Sequence, residues 1–474
     1  MKLLQNNRLK KQCKEITAMT ISISGCDQTV QARILSIAVQ PNHSLIKLSA
    51  ILPWKELAEP VFEDLKATTA KGFWFRGRLL LLRMHLAVFI LQKIYNKTDR
   101  EIAQDLQDNA AFRLFAGEGI VSKWHPPHYT KVEEFRNRLR PETQLQLGNM
   151  IAKHAVTLGF ADPTQVDIDS TVQEANMTYP SDARLLVQLA ERSQKVISWM
   201  QERIPSLIPQ GFGVDLKNVK TKARSYFFAA KNTAIEVKRK IFAELHKTVK
   251  KEVYAVHEIL SKISAEEITL LPWNIRRSLE QVSSFGKQYL LDVAHFIRTH
   301  GIKPGKKLSF HLDDVACIVK NKAGKAMEFG RVFQIGRIVG NFVFTCPHTS
   351  IRMDDKSAIP AMIAVHQELF ENTKIEELAT DKGYYSRVNE QAARSVLKEN
   401  GNLHLGYQYE DTTDDIDTRL KDRRAGLEAV IGHIKQGGQL GKSRMKSDKT
   451  TLAAGYAALL GFNLRQMIRY QTKS

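Results

Sequence analysis

Two aspartates far apart in the chain and one glutamate near its end narrow the folds open to this sequence. Asp169 ends the run TQVDID and Asp381 ends IEELATD, so both stand where a strand would stop. Glu428 lies in RRAGLEAVIGHIK, four residues after Arg424 and seven before Lys435. At 3.6 residues per helical turn, those offsets put the three side chains on one helix face. An acid held between two cations suits a metal ion and a phosphodiester: the carboxylate takes the cation and the bases take phosphate oxygens. Three acids on two strand ends and a helix are what two-metal phosphoryl transfer requires.

The stretches between these acids set the architecture. Residues 1–58 give no clear pattern; ISISGCDQTVQARILSIAVQ reads as two short strands or an irregular arm. From Trp54 to Gly117 the pattern is helical, with Leu79, Leu82, Leu86, Phe89, Ile90 and Lys93 on one face and a capped turn at Asn96–Asp99. Helices follow at EEFRNRL and past Pro141 to Leu158, so residues 1–150 form a mostly helical module. A short strand runs from Pro163 to Asp169. Residues 186–307 return to long helices broken at Pro205, Pro209, Gly211–Gly213 and Pro272. Beyond Pro304-Gly305, LSFHL, AMEFGRVFQIG and NFVFTC read as strands, with a hairpin turn at Gly340-Asn341. SAIPAMIAVHQELFEN is a helix, IEELAT a strand, RVNEQAARSVLKEN a helix and NLHLGYQY a last strand before the helix that carries Glu428. The expected fold class is mixed α+β. Strand, hairpin, helix, strand with Asp, helix, strand and helix with Glu is the order of an RNase H-like core. That core spans 160–185 and 308–474, with 186–307 as an all-helical insertion.

Charge points to the partner. The chain has 474 residues, 70 Lys plus Arg against 50 Asp plus Glu, and a net charge of +20. Between Arg184 and Lys307 there are 23 basic and 11 acidic residues, so this segment supplies 23 − 11 = +12 of the excess. A surplus of that size favours a polyanion. The four cysteines, Cys13, Cys26, Cys317 and Cys346, form no CxxC pair, which suits a reducing cytoplasm rather than a zinc ribbon or disulfide framework. The most apolar stretch, Leu79–Leu91, is 13 residues long and contains Arg83 and His85, too short and too polar to span a bilayer.

At these residues the chain resembles the DDE-class transposases of bacterial insertion sequences. DSTVQEANMTYPSDARLL at 169–186 is similar to that family's Asp-Ser/Thr-Thr segment with its following Tyr-Pro-Thr-Asp, and DKGYYS at 381–386 to its Asp-x-Gly-Tyr segment. RRAGLEAVIGHIKQGGQLGKSRMKS resembles the terminal signature of Arg, three residues, Glu, six residues and Lys, here Arg424, Glu428 and Lys435. One branch of the family has Tyr three positions before the Arg, where this chain has Lys421. REIAQDLQDNAAFRLFAG and HPPHYTKVEEFRNRL resemble the N-terminal DNA-binding region. The resemblance implies that Asp169, Asp381 and Glu428 are catalytic and hold Mg²⁺, with Mn²⁺ as its substitute. It implies hydrolysis at element ends, then attack of the 3′-OH on target DNA. The partners it implies are terminal-repeat and target DNA, with a homodimer on paired ends and neither a membrane nor a small-molecule substrate; the expected location is cytoplasmic, on the nucleoid. Arg424, Lys435, Lys442, Arg444 and the run Lys238-Arg239-Lys240 are the expected DNA-binding residues. Two alternatives are an RNase H-like endonuclease without strand transfer and a catalytically dead, transposase-derived DNA-binding protein.

Other residues compete for these roles. Asp167 shares a strand face with Asp169, and Asp313 and Asp314 follow LSFHL, so either position could replace Asp169. Asp354-Asp355 reads as a helix cap. His125 and His128 in HPPH read as loop residues rather than zinc ligands. Lys250-Lys251, like the 238–240 run, is either a solvated helix face or a phosphate contact. Trp273, beside Arg276-Arg277, is expected in the core, with stacking on an unpaired base as the alternative.

Overall fold

The computed structural model describes residues 39–68, 78–117, 126–177, 181–229, 233–269, 271–301, 303, 305–322, 325–348, 354–406 and 415–473. Most of the arm expected at 21–40, together with Cys13, Cys26, His125 and Tyr179-Pro180, lies outside them. The fold is mixed α+β, mostly helical, with one mixed sheet. The chain forms two compact units, Met1–Asn176 with Gly330–Ser474, and Met177–Phe329.

Among the described residues the first unit opens with seven helices: α1 (Ser44–Ile51), α2 (Trp54–Ala67), α3 (Arg78–Ile94), α4 (Asp99–Asp108), α5 (Ala110–Phe115), α6 (Tyr129–Arg138) and α7 (Pro141–Thr157). Their starts follow capping chemistry. The Thr98 hydroxyl accepts from Glu101 N while the Glu101 carboxylate accepts from Thr98 N, a reciprocal pair that starts α4. Asn109 caps α5, and His128 caps α6, which gives that histidine a local structural role. Pro141 opens α7, where its missing N–H costs nothing. Leu82, Leu86, Phe89 and Ile90 of α3 are buried, as their spacing predicts.

After α7 comes β1 (Asp162–Glu174), then the second unit. The chain returns as β3 (Lys325–Val339), β4 (Phe342–Phe344), α14 (Asp355–Leu369), β5 (Ile375–Thr380), α15 (Arg387–Val396), β6 (Leu397–His404), α16 (Asp415–Gln436) and α17 (Asp448–Lys473). β2 (Ala316–Lys322) precedes them, and the sheet order is β2-β3-β1-β5-β6, with β4 also pairing β3. β3 runs antiparallel to β1 and β4, whereas β5 is parallel to both β1 and β6. The β3–β4 turn has positive φ at Gly340 (88°) and Asn341 (59°), the conformation a tight hairpin turn demands.

Period-two alternation along β1 sorts its side chains. Val166 and Ile168 enter a core built with the N-terminal helices, α14, β5 and α17. The other sheet face carries Phe333 and Ile335 of β3 into a separate cluster with Leu427, Val430, Ile431 and Ile434 of α16. Asp167 and Asp169, out of phase with the valine and isoleucine, turn toward α16.

Three expectations at element level need correction. β1 does not stop at Asp169 but runs to Glu174, because β3 pairs with it along the whole length. LSFHL is not a strand: its alternation buries Phe310 and Leu312, but no segment among the described residues supplies it a ladder. The helix expected over RVNEQAARSVLKEN ends at Val396, and LKENGNLH forms β6 beside β5.

Among the described residues the second unit holds α8 (Asp182–Arg203), α9 (Leu216–Phe227), α10 (Ile235–Leu260), the short α11 (Ala265–Thr269), α12 (Trp273–Glu280) and α13 (Gly286–Thr299), and β2 also falls within its bounds. They share one apolar core that includes Leu186, Leu189, Leu245, Val249 and Tyr289. Trp273 is not part of it. It is 65% exposed at the start of α12, with the Arg277 guanidinium 5.3 Å from its ring.

Candidate active site

The parallel ladder between β1 and β5 ends at the pair Ile168 and Thr380. The next residue on each strand is an acid, so the register sets Asp169 and Asp381 side by side. Asp169 accepts from Ser170 N at 2.7 Å and Asp381 from Lys382 N at 2.8 Å. Asp381 starts a single 3₁₀ turn, Lys382–Tyr384. Tyr384 pins that turn from below: fully buried, it hydrogen-bonds Gln334 of β3, and the Asn389 side chain donates to its carbonyl at 2.6 Å. Gly406, at φ 64°, passes so close that a Cβ there would meet Lys382 N at 2.5 Å. No other residue fits.

α16 brings the third acid. The Arg424 guanidinium lies 3.1 Å from Asp169, 3.5 Å from Asp381 and 3.7 Å from Glu428, so three carboxylates from three elements converge on one cation. Their environments differ: the side chains of Asp169, Asp381 and Glu428 are 15%, 53% and 72% exposed. Burial pushes the Asp169 carboxyl above its usual range, more than the Ser170 amide and Arg424 pull it down. Burial also lowers Arg424, but Asp169, Asp381 and Glu428 together hold it above its ordinary value.

Asp167 plays a different part. It is 5% exposed and takes two bonds from Arg337, its cross-strand partner, at 2.6 and 3.1 Å, and one from Arg423 at 3.0 Å. Arg423 and Arg419 also bond Glu377 of β5. This buried network ties β1, β3 and β5 to α16, and removing one member would strand a charge at a cost of about 3–5 kcal/mol. Consecutive arginines thus meet alternate acids of β1, Arg423 on Asp167 and Arg424 on Asp169. Arg337, Glu377 and Arg423 were missed by sequence reasoning; the one signal was Arg423 standing next to Arg424. Asp354 caps α14, accepting from Ser357 N at 2.8 Å, while Asp355 accepts from Gln334 at 3.3 Å. Asp313 and Asp314 lie in the second unit, and Asp313 pairs with Lys307 at 3.2 Å.

The predicted cations fall into separate groups. Lys435, Lys442 and Arg444 line a cavity of about 390 Å³ with Asn96, Asn176, Gln436, Gly438, Gln439 and Ser443. The segment carrying Lys442 is docked on the end of β1: Glu174 N donates to Gly441 O at 3.0 Å and Ser443 N to Glu174 O at 2.8 Å. Among the described residues no acid and no apolar side chain lines this cavity, so it suits an anion. Lys238, Arg239 and Lys240 lie on α10 in the second unit.

Among the described residues, no group of three His, Cys, Asp or Glu is close enough to hold a metal ion as it stands. Each of the three acids pairs instead with the Arg424 guanidinium. All the donors are carboxylate oxygens, the type hard divalent cations prefer, and they already share one cation. In donor type the set fits a hard divalent ion. Cys346 is buried and Cys317 partly so, and no helix of the described residues is long and apolar enough to cross a membrane.

Comparison with known proteins adds the family context. Residues 33–138 match the transposase domain family DUF772. The chain is 23% identical over 160 residues to the uncharacterized protein ORF8 in the nfe locus of Rhizobium meliloti, covering 32% of this chain and 72% of that one. No solved structure matches the chain at a significant level. The domain match spans helices α1–α6, and together with the weaker likeness it supports a transposase-family protein.

Proposed function

We propose that the chain is a DDE-class DNA transposase whose catalytic acids are Asp169, Asp381 and Glu428. The observation that carries this reading is their convergence on one guanidinium from two neighbouring strands and a helix. The strand order β4-β3-β1-β5-β6, with β3 alone antiparallel, supports an RNase H-like core interrupted by a helical insertion. The match to a transposase domain supports DNA as the partner.

In this reading the acids hold Mg²⁺, which when bound activates the attacking hydroxyl and stabilises the leaving oxygen. The rest of the work belongs to the chain. Tyr384, Asn389 and Gly406 fix the turn that aims Asp381. The Asp167–Arg337–Arg423–Glu377 network fixes α16 against the sheet and so sets the height of Glu428. Arg424, displaced from the acids, lies within reach of a scissile phosphate, and the cavity of Lys435, Lys442 and Arg444 takes the strand beyond it. Lys238, Arg239 and Lys240 add affinity without reading sequence. Each chain offers one such site, so processing two element ends together calls for a homodimer on paired ends.

The test is cleavage of DNA carrying the gene with its native flanks. Excision and joining support a transposase, and hydrolysis without joining supports an endonuclease. Asp169→Asn, Asp381→Asn and Glu428→Gln should each abolish Mg²⁺-dependent cleavage while leaving DNA binding nearly intact, because affinity comes mainly from basic residues. A variant that cleaves like the wild type removes that residue from the site. Binding without cleavage by the wild-type chain points to a catalytically dead DNA-binding protein.

A further inference from the structure

Asp169 and the turn that carries Asp381 are joined through one side chain. Ser170, the residue after Asp169, pairs with Gln334 across β1 and β3, so both side chains share the sheet face opposite α16. Tyr384 stands against them. Its hydroxyl donates to Gln334 Oε1 and also bonds the Ser170 side chain. Its backbone N–H donates to Asp381 O at 3.1 Å. The ring end of Tyr384 is thus fixed beside the strand of one acid, and its backbone end is fixed to the other acid.

Helix α14 holds Tyr384 at both ends. The Asn389 side chain of α15 donates to Tyr384 O at 2.6 Å and to Lys356 O at 2.8 Å, tying the backbone end to the first turn of α14. The residue before Lys356 is Asp355, which accepts from Gln334 Nε2 at 3.3 Å and ties the ring end to the same turn. The other Asp355 oxygen lies against the Asp381 turn itself: a Cβ on Gly383 would meet it at 2.9 Å. Helix capping does not account for Asp355, because Asp354 caps α14.

Donor and acceptor capacity gives this chain one direction. An ionised carboxylate only accepts, so Gln334 turns its amide N–H to Asp355 and its carbonyl to Tyr384. Tyr384 gives its one hydrogen to that carbonyl, which leaves its oxygen to accept from Ser170. Burial, with the charges of Asp355 and Asp169 added, raises the Tyr384 hydroxyl well above its ordinary range, so it stays protonated at neutral pH. Gln334 and Tyr384 are both buried, where a donor or acceptor without its match is costly.

We propose that Asp355 is a positioning residue of the candidate active site: as the last acceptor of the Ser170–Tyr384–Gln334 chain, it fixes the separation of Asp169 and Asp381. This rests on the reading that Asp169, Asp381 and Glu428 hold a divalent ion; Asp355 acts through them and is not a ligand.

Two readouts on the full chain test it: Mn²⁺ affinity without DNA, by electron paramagnetic resonance, and amide hydrogen exchange at 382–384 in metal-free protein. Asp355→Ala removes the acceptor at a partly exposed helix start that tolerates alanine. It should speed exchange at the turn and weaken Mn²⁺ binding about tenfold or more, the usual effect of losing an outer partner of a metal site. Asp355→Asn keeps a carbonyl oxygen for Gln334 and should stay close to the wild type in both readouts. Tyr384→Phe breaks the chain at its middle and should match Asp355→Ala, and the double variant should lose no more than either alone. Unchanged Mn²⁺ affinity in Asp355→Ala overturns the proposal. Asp355→Asn as weak as Asp355→Ala would show that the charge acts, as a ligand or a counter-charge, and overturns it too, as do losses that multiply in the double variant. A wild type that binds no Mn²⁺ removes the metal-site reading and the positioning role with it. Binding that Asp169→Asn abolishes and Asp355→Ala spares removes the positioning role alone.

Discussion

Asp169 and Asp167 stand two residues apart on one strand face, yet their surroundings assign them opposite tasks. Asp167 is fully compensated by two arginines and serves the fold. Asp169 is nearly as buried but under-compensated, so its carboxyl sits above the usual range. A carboxyl raised in the folded state favours the protonated form there. Its stabilising contribution is complete below the unfolded value near pH 4 and is lost as pH rises through the folded value. At neutral pH the ionised group thus works against folding, and Asp169→Asn should stabilise the metal-free protein. The expected gain is on the order of 1 kcal/mol, roughly 2 °C in a unit of this size, and it should fade as the pH falls toward about 4. Thermal melts across pH check this; a lower melting temperature for the variant at neutral pH would show that the bond to Arg424 dominates. The pair was half legible in sequence. Alternation put both acids on one face, but which arginine met which acid depends on strand register and helix docking, and neither is written locally.

Among elements, the segment that carries Asp381 shows how closely its position depends on backbone geometry. Gly406, two residues past the end of β6, has a positive φ and presses against the Asp381–Lys382 peptide. Gly406→Ala adds both a left-handed penalty and a clash, costing about 1–3 kcal/mol. It should lower DNA cleavage far more than that loss of stability explains, because Asp381 moves with the backbone. Cleavage and chemical denaturation measured on the same sample separate the two, and unchanged cleavage would show that the turn tolerates the shift. Elements with strong local signals were legible: the capped turn at Asn96–Asp99, the Gly340-Asn341 turn and IEELAT all lie where sequence put them. LSFHL was misread because alternation reports burial, while a strand also needs a partner. LKEN was misread for the converse reason: its exposed, polar pattern suits a helix, but the open edge of β5 recruits it. Trp273 was expected inside on average behaviour for its type, which says nothing of one residue beside Pro272.

For the whole molecule, the sheet predicts how the insertion can be removed. Glu174 and Gly330 face each other across β1 and β3, so the segment between them leaves and returns at one point of the sheet. Replacing residues 177–329 with a short glycine-containing turn should close an ordinary hairpin and leave the first unit folding cooperatively, since its cores draw on no residue of that segment. DNA affinity should fall, with a shallower dependence on salt, because residues 184–307 supply +12 of the +20 charge. A melt without a cooperative transition would contradict the first expectation, and an unchanged salt slope the second. The charge surplus was plain from composition. The adjacency of the insertion's two ends was not, because it depends on the pairing of strands some 160 residues apart, Asp169 with Ile335 among them.

The central claim is that Asp169, Asp381 and Glu428 form one cation site that Arg424 fills when no metal is bound. Binding of Mn²⁺ to the full chain, followed by electron paramagnetic resonance without DNA, tests it most directly. The account predicts that the wild type binds Mn²⁺, that Arg424→Gln binds it more tightly, and that Asp169→Asn, Asp381→Asn and Glu428→Gln each weaken it severely. Binding that is absent in the wild type, or equal in the wild type and all three acid variants, would contradict it.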